Sequence, residues 1–522
     1  MGVEEERKFD VDPSFALPEL AGCLPPGGQV VTREPVELTA TYHDTADLRL
    51  ARAGASLRFR DGDQPPWTVK LPTGVPGIRH EVSRPPAPDA PATPDGPPPA
   101  ELVALVTAVS RGAPLAPVVA IRSHRRRYEL RDPDGTVLAE LADDRVSVLD
   151  PGLPPTGFRE LEVERVADGG DLLDRVSALL TGAGAVSGRF TPKHVRALSQ
   201  LPGLAAAVAA PPDLPAPEPL EHQPRSGDVV TQAVRRSVAR ILAHDPLIRL
   251  RVDLPGGDTP VHQLRVGLRR LRSDLRTFET LVDQRWARPL RKQLRWLAGT
   301  LGAARDAEVL RARLRRTAAD PLVPVDLAAV DRIDAELAAR QEVARQAVDE
   351  ALAADRYLAL LDALVAAAQR PQLTVLAAAS AQEVLPRLVA GPWRMFAYGD
   401  RGVDGAADLS AGAPDEQWHA VRVHGKRVRY AVEAVADVLG GEAPGLARKL
   451  AVVQDLLGEH QDAAVAGQTW LAVAGSDPDD HALAVAAGRL YERERAAIRR
   501  VRKEFPAAWR SASKRKLLAW LP

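Results

Sequence analysis

The sequence predicts an α+β protein in two parts, an antiparallel β-rich first half and a separate all-α second half. Three observations carry this reading. Apolar and charged residues alternate with period two before residue 200, a proline- and alanine-rich stretch runs from 201 to 227, and helical periodicity with an internal duplication fills 228 to 515.

The strands are short segments in which one face is apolar and the other charged. They are "ASLRFR" (55–60), "WTVKL" (67–71), "IRHEVSR" (78–84), "RRRYEL" (125–130), "TVLAELADDRV" (136–146) and "RELEVER" (159–165). "VEEERKF" (3–9), if extended, sets Glu4, Glu6 and Lys8 on one face. The proline-rich segment 85–99 reads as a loop and 100–111 as a short helix. Residues 201–227 lack a periodicity that could bury a face, so they read as a stiff, extended linker.

In the second half, "VHQLRVGLRRLRSDL" (261–275) aligns without gaps to "WHAVRVHGKRVRYAV" (418–432). A second shared element follows each copy, "LGAARD" (301–306) and "LGEHQD" (457–462), so one helical unit occurs twice. The intervening 326–370 is further helix, ended by Pro371.

Composition bounds the function. At 522 residues the chain exceeds a single core, and Lys+Arg 69 against Asp+Glu 69 leaves no net charge. The single Cys23 excludes an intramolecular disulfide and a cysteine-based metal cluster, which suits a cytoplasmic protein. The acidic start is not a secretory signal, and no apolar run is long enough to span a bilayer, so no membrane association is expected.

Charge is sorted by strand. Positions 4, 6, 160, 162 and 164 are acidic, whereas 58, 60, 70, 125 and 127 are basic. Like-charged neighbours on one strand repel, so the pattern is costly unless a ligand or metal compensates. A sheet with its polar side in water is the simpler alternative. If the charged faces instead meet, they enclose a cavity whose acids suit Mg²⁺ or Mn²⁺ and whose bases suit phosphate oxygens.

These residues resemble the CYTH, or triphosphate tunnel metalloenzyme, superfamily. "EEERK" fits its E-x-E-x-K signature, and "YHDTADLRLARAGASLRFR" (42–60) fits its second segment. Lys70, the Arg79 and Glu81 pair, Arg125 and Arg127, "DDR" (143–145), "ELEVE" and Lys193 follow in the family's order over residues 1–200. The resemblance implies an eight-stranded antiparallel β-barrel, a tunnel with flanking helices, holding a linear triphosphate. It implies that Glu4 and Glu6 bind a divalent metal, joined by Glu160, Glu162, Glu164 and Asp144. By the same carry-over Lys8, Arg58, Arg60, Lys70, Arg125, Arg127 and Lys193 hold phosphate while a metal-activated water attacks in line. The cyclase subgroup's His-Phe pair is missing near the start, which lowers a cyclase reading.

In the duplicated helices, His262, Arg265, Arg269, Arg272 and Arg276 recur at helical spacing beside an apolar stripe of Val261, Leu264, Leu268, Leu271 and Leu275. His419, Arg422, Lys426 and Arg429 repeat the basic stripe, and few acids sit at i+4 to neutralise it. A solvated face is the plain alternative; the repetition favours an anion-binding groove. Aromatic residues are 4% of the chain and none interleaves with the first stripe, which argues against sequence-specific nucleic acid. The duplicated H-x-x-R-x-x-x-[RK]-R-x-R pattern resembles the CHAD (conserved histidine α-helical) domain over 228–515. That resemblance implies two pseudo-symmetric four-helix bundles with polyphosphate bound by His262, Arg265, Arg269, Arg270, Arg272, His419, Arg422, Lys426, Arg427 and Arg429. Lys292, with Arg448 and Lys449, extends the expected groove.

The expected function is metal-dependent hydrolysis of inorganic triphosphate or a related compound, with polyphosphate bound by the helical domain. A non-enzymatic polyphosphate-binding or targeting protein is the first alternative. An adenylate cyclase or a thiamine or nucleotide triphosphatase is the second.

Overall fold

A computed structural model describes residues 2–88, 91–149, 156–188, 191–319, 325–400, 402 and 404–522. The chain forms two compact units, Met1–Asp213 and Leu214–Pro522.

The first unit is built on strands β1 (Gly2–Val11), β2 (Gln29–Asp44), β3 (Ser56–Arg60), β4 (Trp67–Pro72), β5 (Ile78–Arg84), β6 (Ala116–Arg131), β7 (Val137–Leu149), β8 (Thr156–Arg165) and the two-residue β9 (Val186–Ser187). Their order is β5-β4-β3-β2-β6-β7-β8-β1-β9, and β1 also pairs with β5, so eight antiparallel strands close into a barrel. The seam lies within β1. Glu4 pairs with Arg79 of β5, whereas Glu6 pairs with Glu164 and Lys8 with Glu162 of β8.

Among the described residues six short α-helices accompany the barrel: α1 (Arg49–Arg52), α2 (Ala100–Leu105), α3 (Thr107–Ser110), α4 (Leu172–Gly182), α5 (Lys193–Ser199) and α6 (Ala205–Ala209). The expected helix over 100–111 is thus two short ones. The loop expected over 85–99 includes residues 89 and 90, which lie outside the described residues. The apolar strand faces point outward and are covered. Leu172, Leu173, Val176 and Leu180 of α4 pack with Phe9, Leu141, Leu161 and Val163. Burying that side leaves the charged residues facing in, the reverse of a sheet with its polar side in water.

The stretch read as an extended linker is partly folded. Leu201 and Val208 pack with the Ala197 and Leu198 of α5. Asp213 takes ion pairs from Arg52 at 2.7 Å and Arg111 at 2.5 Å. Beyond Asp213, Leu214 and Leu220 pack on the core of the helical unit. Alanine and proline gave no stripe, yet a few isolated apolar residues and an ion-pair cluster suffice to dock the segment.

The second unit comprises α7 (Ser226–Leu250), α8 (Pro260–Thr277), α9 (Gln284–Ala318), α10 (Leu327–Ala353), α11 (Asp355–Gln369), α12 (Ala381–Tyr398), α13 (Asp415–Leu439), α14 (Ala443–Ala474), α15 (His481–Ala512) and α16 (Arg515–Leu518). In each of the sets α7–α10 and α12–α15, consecutive helices pack on one another, and α8 meets α13 while α9 meets α14. These are the two copies of the repeat, and their apolar stripes merge into one core that includes Leu264, Leu268, Leu271, Val421, Val428 and Val432. The start of α8 is fixed locally: Thr259 caps it by accepting the His262 N–H, and Pro260 occupies the first turn. Among the described residues no helix is long and apolar enough to cross a membrane.

Candidate functional site

A cavity of about 240 Å³ lies within the barrel. Its wall includes Glu4, Glu6, Lys8, Arg58, Arg60, Lys70, Arg125, Glu162, Glu164 and Lys193. Strict alternation brings them there. Glu4, Glu6 and Lys8 of β1 are only 8%, 3% and 8% exposed, facing Arg58 and Arg60 of β3 and Lys70 of β4.

Acids are matched to bases from other strands. Lys70 Nζ donates to Glu4 Oε1 at 2.8 Å and Oε2 at 2.6 Å. Glu6 Oε1 lies 3.4 Å from Lys8 Nζ and 3.7 Å from Arg79 Nε. Glu162 accepts from Lys8, from Lys193 at 2.5 Å and from Arg125 at 3.1 Å. Burial opposes its ionisation, but Lys193, Lys8 and Arg125 hold it well below the ordinary carboxylate range. Glu164 behaves oppositely: burial first, then neighbouring Glu4, pushes it up to about 7.

Asp144, Glu160 and Arg127 do not line this cavity. Asp144, fully buried, accepts from Arg125 Nε at 2.8 Å and Nη2 at 2.7 Å and from Lys193 Nζ at 2.8 Å. Glu160 lies 3.0 Å from Lys193 Nζ and accepts from Arg196 at 2.8 Å. Both act as counter-ions that orient the cavity's bases. Arg127 follows Arg125 along β6, and its buried Nε has no hydrogen-bond partner among the described residues.

The wall also contains residues that sequence reasoning did not place in the site. Arg79 and Glu81 belong to it, as do Tyr42, Ser123 and His194. Alternation through Ala40 and Tyr42, and through Ile121, Ser123 and Arg125, was the available signal. The Tyr42 ring stacks on His194 with centroids 4.8 Å apart. Burial first, then Arg79 and Lys8, lowers His194 to about 3, so it is neutral near pH 7. Asp44 works from outside: its carboxylate accepts the N–H groups of Thr45, Leu50 and Ala51 at 2.7, 2.9 and 2.9 Å. Those bonds fold the turn that leads into β3 and its two arginines.

The donor chemistry fits a hard divalent cation. Among the described residues five carboxylates, Glu4, Glu6, Glu81, Glu162 and Glu164, face one cavity, and Glu164, raised by burial and then by Glu4, sits where a cation would relieve crowded negative charge. Among the described residues no three acidic, histidine or cysteine side chains already converge as an ion-binding cluster. Lysines and arginines hold the carboxylates instead.

The helical unit has a larger groove, about 700 Å³, between α8, α9, α13 and α14. His262, Arg265, Arg269, Arg272, His419, Arg422 and Lys426 line it as the stripes predict, and Arg427 lines it as the resemblance implied. Arg270, Arg429 and Lys292 do not. Arg270 and Arg429 are both tied to Glu433, at 3.1 and 2.7 Å, and Lys292 is exposed elsewhere on α9. Arg276, Arg291, Arg295, Arg305 and Tyr430 complete the wall. Arg291 and Arg295 were missed because α9 carries no duplicated basic stripe. The Nε atoms of Arg265, Arg291, Arg422 and Arg427 are buried with no hydrogen-bond partner among the described residues. Lys426, buried first and then beside Arg269 and Arg422, is lowered to about 6.

Comparison with known proteins agrees with both halves. A family model for the CYTH domain matches residues 3–177, and one for the CHAD domain matches residues 232–471. Two uncharacterised proteins from two strains of Mycobacterium tuberculosis are each 31% identical, over 98% of this chain and 96% of theirs. Among solved structures, PptA from Streptomyces chartreusis is 24% identical and aligns with a TM-score of 0.43 over 55% of this chain and 99% of its own. The CHAD domain from the plant Ricinus communis is 24% identical, with a TM-score of 0.43 over 56% of this chain and 94% of its own.

Proposed function

Because the chain belongs to the family of proteins that join a CYTH domain to a CHAD domain, we propose that its barrel hydrolyses inorganic triphosphate or a related triphosphate compound and its helical groove binds polyphosphate. The observation that carries the first claim is the enclosed, charge-sorted cavity, with carboxylates and at least five lysines and arginines on one inner wall.

A linear triphosphate together with a divalent cation would satisfy both sets of charges. Arg58, Arg60, Lys70, Arg125 and Lys193 bind its oxygens, while Glu4, Glu6, Glu162 and Glu164 would hold Mg²⁺ or Mn²⁺. A bound divalent cation neutralises phosphate oxygens and makes a coordinated water more acidic. Loading exchanges existing ion pairs: Lys70 leaves Glu4 for phosphate, and Lys193 and Lys8 leave Glu162. Asp144 and Glu160 keep Arg125 and Lys193 aimed inward throughout. His194, neutral and stacked on Tyr42, adds no charge to the wall.

A receptor without turnover is the second reading, favoured by the carboxylates already being paired to bases. Phosphate release from tripolyphosphate with Mg²⁺ or Mn²⁺, over many turnovers, separates the two. We expect release, and its abolition by Glu4→Ala with Glu6→Ala. Tight binding without release would establish the receptor, and ATP outcompeting tripolyphosphate would establish a nucleotide enzyme. For the groove, Arg269→Ala with Lys426→Ala should weaken binding of long polyphosphate and flatten its salt dependence, with tripolyphosphate hydrolysis retained.

A further inference from the structure

The groove is built by a repeat, yet its two flanks are not equivalent. Extending the alignment of the two copies by one residue sets Arg276 of α8 against Glu433 of α13. In the frame of the shared Leu-Gly elements, Arg291 and Arg295 of α9 stand against Ala447 and Ala451 of α14, and Gly299 against Asp455. Every one of these differences makes the same flank less positive.

The side chains follow the substitutions. On the first flank Arg272, Arg276, Arg291 and Arg295 all line the groove, joined by Arg427 from the other copy. Burial first, then Arg295, Arg269 and Arg291, holds the Arg272 guanidinium below its ordinary value, the signature of cations crowding cations. On the second flank Glu433 lies 3.1 Å from Arg270 Nη1 and 2.7 Å from Arg429 Nε, and Asp455 lies 3.9 Å from Arg429 Nη1. Here burial opposes the charge, but Glu433 raises Arg429. Arg270 and Arg429 leave the wall, although their counterparts Arg427 and Arg272 line it.

We propose that the groove is one-ended: a linear polyphosphate is gripped at the centre by Arg269 and Lys426, continues over the Arg276, Arg291 and Arg427 flank, and is stopped at the opposite flank by Glu433. This rests on the reading of the groove as a polyphosphate site and adds a direction to it. Glu433 is then a specificity-determining residue that acts from behind the wall, by withdrawing two guanidinium groups from it.

The test is titration of the full-length protein with a long sodium polyphosphate fraction across a salt series, with a chelator present so that no turnover consumes the ligand. Glu433→Gln, which keeps the side-chain shape, and Glu433→Arg, which restores the repeat, should each bind about tenfold tighter at low salt. Their plots of affinity against salt should be steeper by one to two released ions, roughly one for each freed arginine. Arg276→Glu should lose about tenfold, because it closes the open flank. Unchanged affinity and slope in both Glu433 variants, with Arg269→Ala plus Lys426→Ala still weakening binding, would overturn the one-ended groove and leave the site itself standing. No effect of the Arg269 and Lys426 substitutions would overturn the site as well.

Discussion

Lys70 spans the barrel wall to bind Glu4 through both carboxylate oxygens, at 2.8 and 2.6 Å, although β5 lies between their strands. One ammonium therefore masks one of the carboxylates that would hold a cation. Replacing Lys70 by Met should tighten Mn²⁺ binding to the free protein, followed by electron paramagnetic resonance. It should also raise KM for tripolyphosphate roughly 10- to 100-fold, the worth of a charge-assisted hydrogen bond. Parallel loss of both affinities would mean that Lys70 only supports the fold.

Asp144 and Glu164 should respond differently to neutralisation. Asp144→Asn leaves Arg125 and Lys193 short of a buried counter-charge and should cost about 3 kcal/mol of stability. Glu164→Gln removes a carboxylate already raised by its surroundings and should leave stability unchanged or improved. Chemical denaturation of the two variants checks this.

Lys426 should give the proposed polyphosphate binding a pH dependence. Lowered to about 6 in the free protein, it is mostly neutral at pH 8 and must take up a proton to meet an anion. Affinity should rise as pH falls from 8 toward 6. Calorimetry in buffers of different ionisation enthalpy should show proton uptake, and Lys426→Arg should flatten the profile because arginine is already charged.

Asp274 is a liability inside α8. Its carboxylate oxygens are buried with no hydrogen-bond partner among the described residues, and burial raises it to about 7, against the opposing fields of Arg270 and Arg236. An acid raised in the folded state binds more protons there than when unfolded, so stability falls as pH rises from about 4 to about 7. Asp274→Asn should raise the melting temperature at pH 8, with little effect at pH 4, in thermal melts monitored by circular dichroism.

Alternation made β3, β4, β5, β7 and β8 legible because each puts leucine, valine or aromatic side chains on one face and charges on the other. Strand β2 was not legible. Its "TREPVEL" segment carries Pro35 and three charges, and the structure absorbs them by a register shift against β6 between Arg33 and Val36. In the barrel, alternation placed Arg58, Lys70 and Glu162 on the inner wall, but it could not separate Glu162 from Glu160. Both face the same way on β8, and it is α5, whose Arg196 and Lys193 both hold Glu160, that sets the two apart. In the groove, the basic stripe of α8 was visible from end to end. That of α13 misled at its last position, because helical spacing assigns Arg429 a direction without showing that Glu433, one turn on, holds it there.

Strand β1 changes partner between Glu5 and Glu6, from β5 to β8, so it is the clasp that shuts the cylinder. The same few residues carry the Glu-x-Glu-x-Lys signature. Zipping the wall and bringing Glu4 to the cavity are consequently coupled: a chain shorn of residues 2–5 would forfeit Glu4 and the pairing to β5 together.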